Sequence, residues 1–344
     1  MAPGKMKRAA WSGKIIDGHS HAGVSLKAYA LGEYPYAQTI EGLHGQQRAG
    51  GVDATVVFPF SADLYFDPGG LAKGHLTPAA APLSPVPYGV ENHLLMREIF
   101  DYCPELSSRF LPFVSIDPAR DVPGQIRALK ELLKTYPAYG IKVNPVGCQS
   151  RAAALLEIGA PLLDFAEERD LPLLFHVTTV PGEEYSQAAD IFKIVERRPR
   201  LRFCMAHGLL FHRAWLDRAE AAPNVWVDTA ALKIQVESMG GEIGRTLPAN
   251  DFLDVDYTDH RAVMRSLADR YPRKIIWGTD SPAYSWICRR KQGEGLYQDF
   301  RLKGFYSDEI AALKALTPEL QARVGGANAL DFIFGPQDAS TARR

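Results

Sequence analysis

Cysteine is scarce and scattered: the 344-residue chain has Cys103, Cys148, Cys204 and Cys288, with no CxxC pair. That spacing excludes a zinc knuckle and a disulfide framework, and few separated thiols in a long chain suit a reducing, cytoplasmic setting. A surplus of charge of one sign is also lacking. The 39 basic and 40 acidic side chains leave a formal net charge of −1, which excludes the electrostatic footprint of a nucleic-acid or anionic-membrane binder. Short basic clusters such as Arg197-Arg198 and Arg289-Arg290-Lys291 read as solvated helix ends or loops. No apolar run reaches the roughly 18 residues of a spanning helix. The basic opening MAPGKMKRAAWSGK lacks the apolar stretch of a secretory signal. A GxGxxG phosphate turn after the first strand-like run is missing as well, which argues against a doubly wound dinucleotide fold.

What is present is a recurring short apolar run followed by an amphipathic stretch. The runs are KIIDGHSHAG (14–23), DATVVFPF (53–60), RFLPFVSID (109–117), YGIKVNP (139–145), LPLLFHVTT (171–179), LRFCMAHG (201–208), NVWVDTA (224–230) and KIIWGTDSP (274–282). Each is rich in branched or aromatic residues and bounded by turn formers. Near-continuous hydrophobicity predicts parallel strands covered on both faces. Helices are predicted at 125–136, 154–170, 187–199 and 259–272. In the first of these Ile126, Leu129, Leu132 and Leu133 form one stripe opposite Lys130, Glu131 and Lys134. Eight strands alternating with helices predict an α/β fold, the (β/α)8 TIM barrel, as one domain over 14–335. Residues 1–13 and 336–344 are expected to be flexible tails. Long segments at 61–90, 231–258 and 283–306 follow strands 2, 7 and 8, which places them on the C-terminal face where barrels build active sites.

The histidines fall in a pattern. His19 and His21 are two apart on the first strand, so both leave one face. His176 ends the fifth run, His207 the sixth and Asp280 the eighth, so a barrel gathers all five groups at one mouth. Buried there without a partner they would cost on the order of several kcal/mol, and a metal ion resolves that cost. Imidazoles with one carboxylate suit zinc and leave a position for water. An HxH pair alone carries little; the conjunction of separate strand ends carries the reading. His44, His75, His93, His212 and His260 show no such placement.

On these residues the chain resembles the amidohydrolase superfamily, and within it the amidohydrolase-2 branch of metal-dependent hydrolases and aminocarboxymuconate-semialdehyde decarboxylase-like enzymes. The resemblance rests on IIDGHSHAG, AGGVDATVVFPF, GIKVNP, HVT, AHG, WGTDSP and the closing NALDFIFG, and runs from about residue 14 to 335. It implies metal ligands His19, His21, His176 and Asp280, with His207 catalytic and Asp280 also accepting a proton. Asp17, expected to share the face of His19 and His21 but deeper, suits a supporting role. Lys142 matches a fourth-strand lysine that is carboxylated in two-metal members; the reading favoured here is a cation that binds substrate.

The expected cofactor is one Zn2+, with Mn2+ or a two-metal site on carboxylated Lys142 as alternatives. The expected reaction is hydrolysis of an amide, ester or lactone by metal-bound hydroxide. The runner-up is non-oxidative decarboxylation of an aromatic or muconate-like acid, for which Lys142, Arg245, Arg289 and Arg290 offer cations. Lys142, Tyr88 and Arg289 are the expected substrate contacts, and Tyr65, Phe66, Tyr284 and Trp286 are further loop aromatics suited to an unsaturated substrate. The expected partner is a small molecule rather than nucleic acid or membrane, with a homodimer as the base-rate assembly. A barrel that only binds a ligand is the remaining alternative, and the intact set of five convergent groups argues against it.

Overall fold

All eight apolar runs form strands: β1 (Ile16–Val24), β2 (Ala54–Pro59), β3 (Phe110–Ile116), β4 (Gly140–Val143), β5 (Leu173–Phe175), β6 (Phe203–Met205), β7 (Val225–Asp228) and β8 (Ile275–Ile276). They come from a computed structural model that describes residues 5–34, 36–241, 251–293 and 296–336. The strands run parallel in the order β8-β7-β6-β5-β4-β3-β2-β1, with Ala37–Gln38 antiparallel at the edge of β1. Backbone bonds then join the two ends. Gly18 N donates to Trp277 O at 2.9 Å, Asp280 N to His19 O at 2.8 Å and His21 N to Ser281 O at 2.8 Å. This closes the α/β barrel predicted from the alternation of strands and helices.

Closure demands glycine at two points. A Cβ on Gly18 would lie 2.5 Å from Ile276 Cγ2, and one on Gly278 would lie 2.9 Å from His19 Cβ. The two strands that carry the candidate ligands approach this closely because neither has a side chain there. An inner core that includes Ile16, Val56, Phe58, Leu111, Phe113 and Leu174 fills the barrel, and a second layer packs the outer strand faces against the helices. The stripe on helix Val122–Thr135 joins that outer layer through Leu129, Ile126, Leu132 and Leu133.

Several expectations change. The helix predicted at 154–170 divides into a 3-10 turn, Ala152–Leu156, and a helix, Ala160–Glu168. Pro161 has no N–H to give to the ladder, so it is confined to a first turn and a new helix must begin beside it. The lead-in expected to be flexible over 1–13 is docked from residue 5 onward. Trp11 is fully buried in the inner core, and Arg8 pairs with Asp331 at 2.6 Å and donates to Gly335 O at 2.7 Å. An indole removed from water gains more than a flexible tail retains in entropy, which is the reason for the difference. Of the other tail, residues 337–344 lie outside the described residues.

The segment at 61–90 folds over a small core of its own, with Phe66, Leu71, Leu76, Tyr88 and Cys148. Glu91 anchors it, Oε1 accepting from Leu64 N at 3.0 Å while Oε2 has no partner. Burial pushes this carboxyl up to about 7. A carboxyl whose pKa is higher folded than unfolded contributes stability below the unfolded value and loses it as pH rises through the folded one. Glu91→Gln keeps the acceptor and removes the titration. Melting followed at pH 5 and pH 8 should therefore show the wild type losing about 1–3 kcal/mol more than the variant across that window. Identical pH profiles would show that Glu91 is not the titrating group.

Residues 231–258 contain helix Leu232–Gly240, and residues 283–306 contain an antiparallel hairpin, β9 (Trp286–Gly293) and β10 (Leu296–Leu302). β9 also pairs with Glu33–Tyr34, which draws the segment after β1 and the segment after β8 together above the barrel. No helix among the described residues is long and apolar enough to cross a membrane.

Candidate active site

The closed sheet brings the candidate residues to the mouth of the barrel, where they form the floor of a cavity of about 310 Å³. His19, His21, Lys142, His176, His207 and Asp280 line it, with Phe60, Tyr36, Ile234 and Trp286 on its walls. Three of the expected ligands converge tightly. His19, His21 and Asp280 each offer one ligand atom, and those atoms lie within 4.8 Å of one another. Asp280 Oδ1 is 3.1 Å from His21 Nε2 and 3.3 Å from His19 Nε2, yet it is buried with no hydrogen-bond donor.

The reason for that orphaned oxygen is the placement of the ring protons. His19 Nδ1 meets Asp228 Oδ2 at 2.9 Å, and His21 Nδ1 meets Pro59 O at 3.3 Å. Both partners only accept, so each ring carries its proton on Nδ1 and turns an Nε2 lone pair into the cavity. Two lone pairs and a carboxylate oxygen facing one another repel unless a cation sits among them. The donor set therefore fits a divalent ion, and imidazole with carboxylate is the chemistry of zinc.

His176 and His207 form the next layer. His207 Nδ1 donates to Ala230 O at 3.1 Å, so its Nε2 accepts from His176 Nδ1 at 2.9 Å. That chain leaves His176 Nε2 as a free lone pair. His176 is outside the tight three-residue cluster, although it lines the same cavity. Burial lowers the pKa of His207, and burial together with the neighbouring His207 holds His176 well below its usual value, so both are neutral. Burial also pushes His21 down to about 4. Burial alone would raise Asp280; with a second proton on His19 or His21, the charge and hydrogen bond of the ring outweigh burial and hold the carboxyl well below the usual range.

Lys142 is fully enclosed, its Nζ 3.1 Å from His19 Nε2 and 4.5 Å from the centre of the Phe58 ring. Burial lowers its pKa to about 8, so the amine is poised between its charged and neutral forms near neutrality. One other expected substrate contact falls elsewhere. Tyr88 does not line the cavity; it is buried beneath the 61–90 segment with its hydroxyl 3.2 Å from Cys148 Sγ. The apolar side chains of that segment outcompete the cavity for its ring. The side chains of Arg289 and Arg290, and the whole of Arg245, lie outside the described residues. Of the loop aromatics, Trp286 lines the cavity, Phe66 belongs to the small loop core, Tyr65 packs on that core, and Tyr284 reaches Gln46 Oε1 at 3.2 Å.

Asp17 is on the opposite face from His19 and His21. β1 pairs Asp17 with Thr55 and Ser20 with Val57, so an extra residue bulges out of β1 between them and breaks the alternation. Asp17 accepts from Thr279 Oγ1 at 2.7 Å, Thr279 N at 2.9 Å and Ser20 Oγ at 2.8 Å. It clamps the closure of the barrel from outside. Asp228, at the end of β7, was not singled out in the sequence. It is fully buried and takes the His19 proton with Oδ2, while Oδ1 accepts from His207 N at 3.1 Å and Ala230 N at 3.0 Å. Its signal was an acidic residue closing a buried apolar run, VWVD, in register with the other ligand-bearing strand ends.

Compared with known proteins, residues 16–334 match the family model described as amidohydrolase. Among curated proteins none matches the chain. Among solved structures, an amidohydrolase from Burkholderia multivorans with bound zinc is similar at 15% identity and TM-score 0.56, covering 94% of this chain and 100% of that one. A probable 2-pyrone-4,6-dicarboxylic acid hydrolase from Acinetobacter baumannii, with citric acid bound, is similar at 12% identity and TM-score 0.54, covering 93% and 99%. Metarhizium anisopliae IDCase is similar at 12% identity and TM-score 0.51, covering 96% and 98%. At these identities the likeness is one of fold.

Proposed function

Because this chain belongs to the amidohydrolase family, whose model spans residues 16–334, we propose that it is a metal-dependent hydrolase of an amide, ester or lactone. The observation that carries this reading is the unsatisfied Asp280 Oδ1 facing two imidazole lone pairs at 3.1 and 3.3 Å. His19, His21 and Asp280 would hold one zinc ion, with His176 Nε2 the further donor available in the cavity, and Mn2+ is the alternative occupant. The ion supplies Lewis acidity, which makes water a nucleophile at neutral pH.

The rest of the chemistry belongs to side chains. Asp280, whose buried Oδ1 has no hydrogen-bond donor of its own, accepts the proton that the attacking water gives up. Asp280 then passes that proton to the leaving group, while neutral His207, its Nδ1 donating to Ala230 O and its Nε2 accepting from His176 Nδ1, holds the His176 ring against the cavity. Lys142 donates to the substrate oxygen on which negative charge develops.

Replacing His207 by alanine should lower kcat by about 10²-fold with the metal content unchanged, as read from turnover beside elemental mass spectrometry. Full turnover in the variant would remove His207 from the mechanism. The class itself is tested by screening esters, lactones and amides for acid release in a pH-stat, beside carbon dioxide release from aromatic acids. Decarboxylation is the second reading, favoured by the buried Lys142 ammonium, which can hold a substrate carboxylate. Two ions per chain in place of one would assign Lys142 to a carboxylated bridge instead.

A further inference from the structure

The two imidazoles of the candidate cluster are held by different means. His19 Nδ1 has a carboxylate oxygen of Asp228 at 2.9 Å, whereas His21 Nδ1 has the Pro59 carbonyl at 3.3 Å. The second distance is long for an N–H···O bond, and the torsion that turns an imidazole about its Cβ–Cγ bond is soft. Hydrogen bonding alone therefore leaves His21 loosely aimed. Two phenylalanines supply a further restraint. Phe58 meets the His21 ring edge-on, centroids 4.7 Å apart at 82°, and Phe60 meets it face to face, at 4.8 Å and 9°. Phe58 also meets His19, at 4.9 Å and 68°, so it bears on both rings. The face contact belongs to His21.

The sequence places Phe60 there. β1 and β2 pair His21 with Phe58 and Ala22 with Pro59, so the inward side chains of VVFPF follow the histidine along the barrel wall. Phe60 is the next inward position after Phe58, at the mouth, where it and His21 both line the cavity while staying buried. Tyr36 packs on Phe60 edge-on, at 5.8 Å and 68°. An Nε2 lone pair given to a divalent ion draws electron density out of the imidazole. The negative face of a phenyl ring then attracts it more strongly than it attracts the metal-free ring. Stacking and metal uptake thus support each other.

We propose that Phe60 is the positioning residue for His21, its ring face setting the plane in which Nε2 meets the ion and tightening the hold on it. This rests on the metal-dependent reading and adds what aims the imidazole that has no carboxylate behind its Nδ1.

The test compares wild type, Phe60→Leu and Phe60→Tyr in two ways. Zinc affinity is read by competition with a chelator, and the histidine rings are read by nitrogen NMR of the metal-free, full-length protein. Phe60→Leu should weaken zinc binding by about three- to tenfold, and Phe60→Tyr, which keeps the ring face, should hold the wild-type affinity. In the metal-free chain Phe60→Leu should turn the single His21 tautomer into a mixture and leave His19, which Asp228 holds, as one. Thermal melting checks folding, and Phe60→Met, which fills the space without a planar face, takes the place of leucine where that variant does not fold. Wild-type His21 signals and zinc affinity in these variants overturn the proposal. An equal disturbance of His19 and His21 also overturns it, because that marks a general loosening of the core. A wild type that takes up no zinc overturns the metal reading, and the His21 signals then decide the role of Phe60 by themselves.

Discussion

Replacing His19 and His21 together by alanine leaves a folded protein that takes up no zinc and loses turnover by about 10³-fold or more. The size follows from what the ion provides, several kcal/mol of transition-state stabilisation, at 1.36 kcal/mol per tenfold. Folding should survive because the barrel closes through backbone groups. Gly18 N to Trp277 O, Asp280 N to His19 O and His21 N to Ser281 O involve no imidazole. The loss of two buried polar rings also relieves desolvation that a metal-free cluster pays. Elemental mass spectrometry reads the stoichiometry and circular dichroism the fold. A variant that still binds about one zinc per chain would place the metal elsewhere and remove the three-residue cluster from the mechanism.

The next largest effect is expected at Asp228. Its carboxylate divides between two tasks, Oδ2 taking the His19 Nδ1 proton at 2.9 Å and Oδ1 accepting from His207 N and Ala230 N. The second task matters because the chain after β6 is unusual. His207, Leu209, Leu210 and Phe211 have φ of 61°, 51°, 48° and 61°, a left-handed run that includes three non-glycine residues after the histidine. Each costs about 1–2 kcal/mol in that conformation, and the run holds its shape only while neighbouring groups grip it. Asp228→Asn keeps the shape and removes the charge. The His19 proton is then bound less strongly to Nδ1, and an amide can turn its NH2 toward it. Metal affinity should fall by about 10–100-fold in competition with a chelator. The nitrogen NMR signals of His19 should show a mixture of ring tautomers in place of one. Cys204→Ala is the matched control. Its thiol is also close to Asp228 Oδ2, at 3.7 Å, yet it fixes no ring, so affinity should be unchanged. Unaltered affinity in Asp228→Asn would show that Pro59 O and the packing around His19 suffice to orient the site.

Some of this site is legible in the sequence itself. His19 and His21 two apart, and Asp280 closing the run KIIWGTDSP, are local features, and a strand displays them by its own alternation. Tyr88 was misplaced for the opposite reason. An aromatic in a Pro- and Gly-rich segment can face a cavity or pack beneath its own loop, and only the positions of Phe66, Leu71, Leu76 and Cys148 settle which. Asp17 was misplaced because one extra residue in β1 reverses the face of everything before it. That bulge is a property of the pairing with β2, and no local pattern in IIDGHSH announces it.

From its sequence alone the chain is determined to be an α/β barrel of eight strands and to carry imidazoles and a carboxylate at strand ends, as a candidate metal site. Periodicity and turn chemistry suffice for that, since both act over a few residues. Only the tertiary structure decided which nitrogen of each ring faces the cavity, that Asp228 holds both His19 and the His207 arm, and that His176 reaches His207 instead of joining the tight cluster. Those outcomes depend on distances between strands far apart in the chain, set by how closely Gly18 and Gly278 let the barrel ends approach.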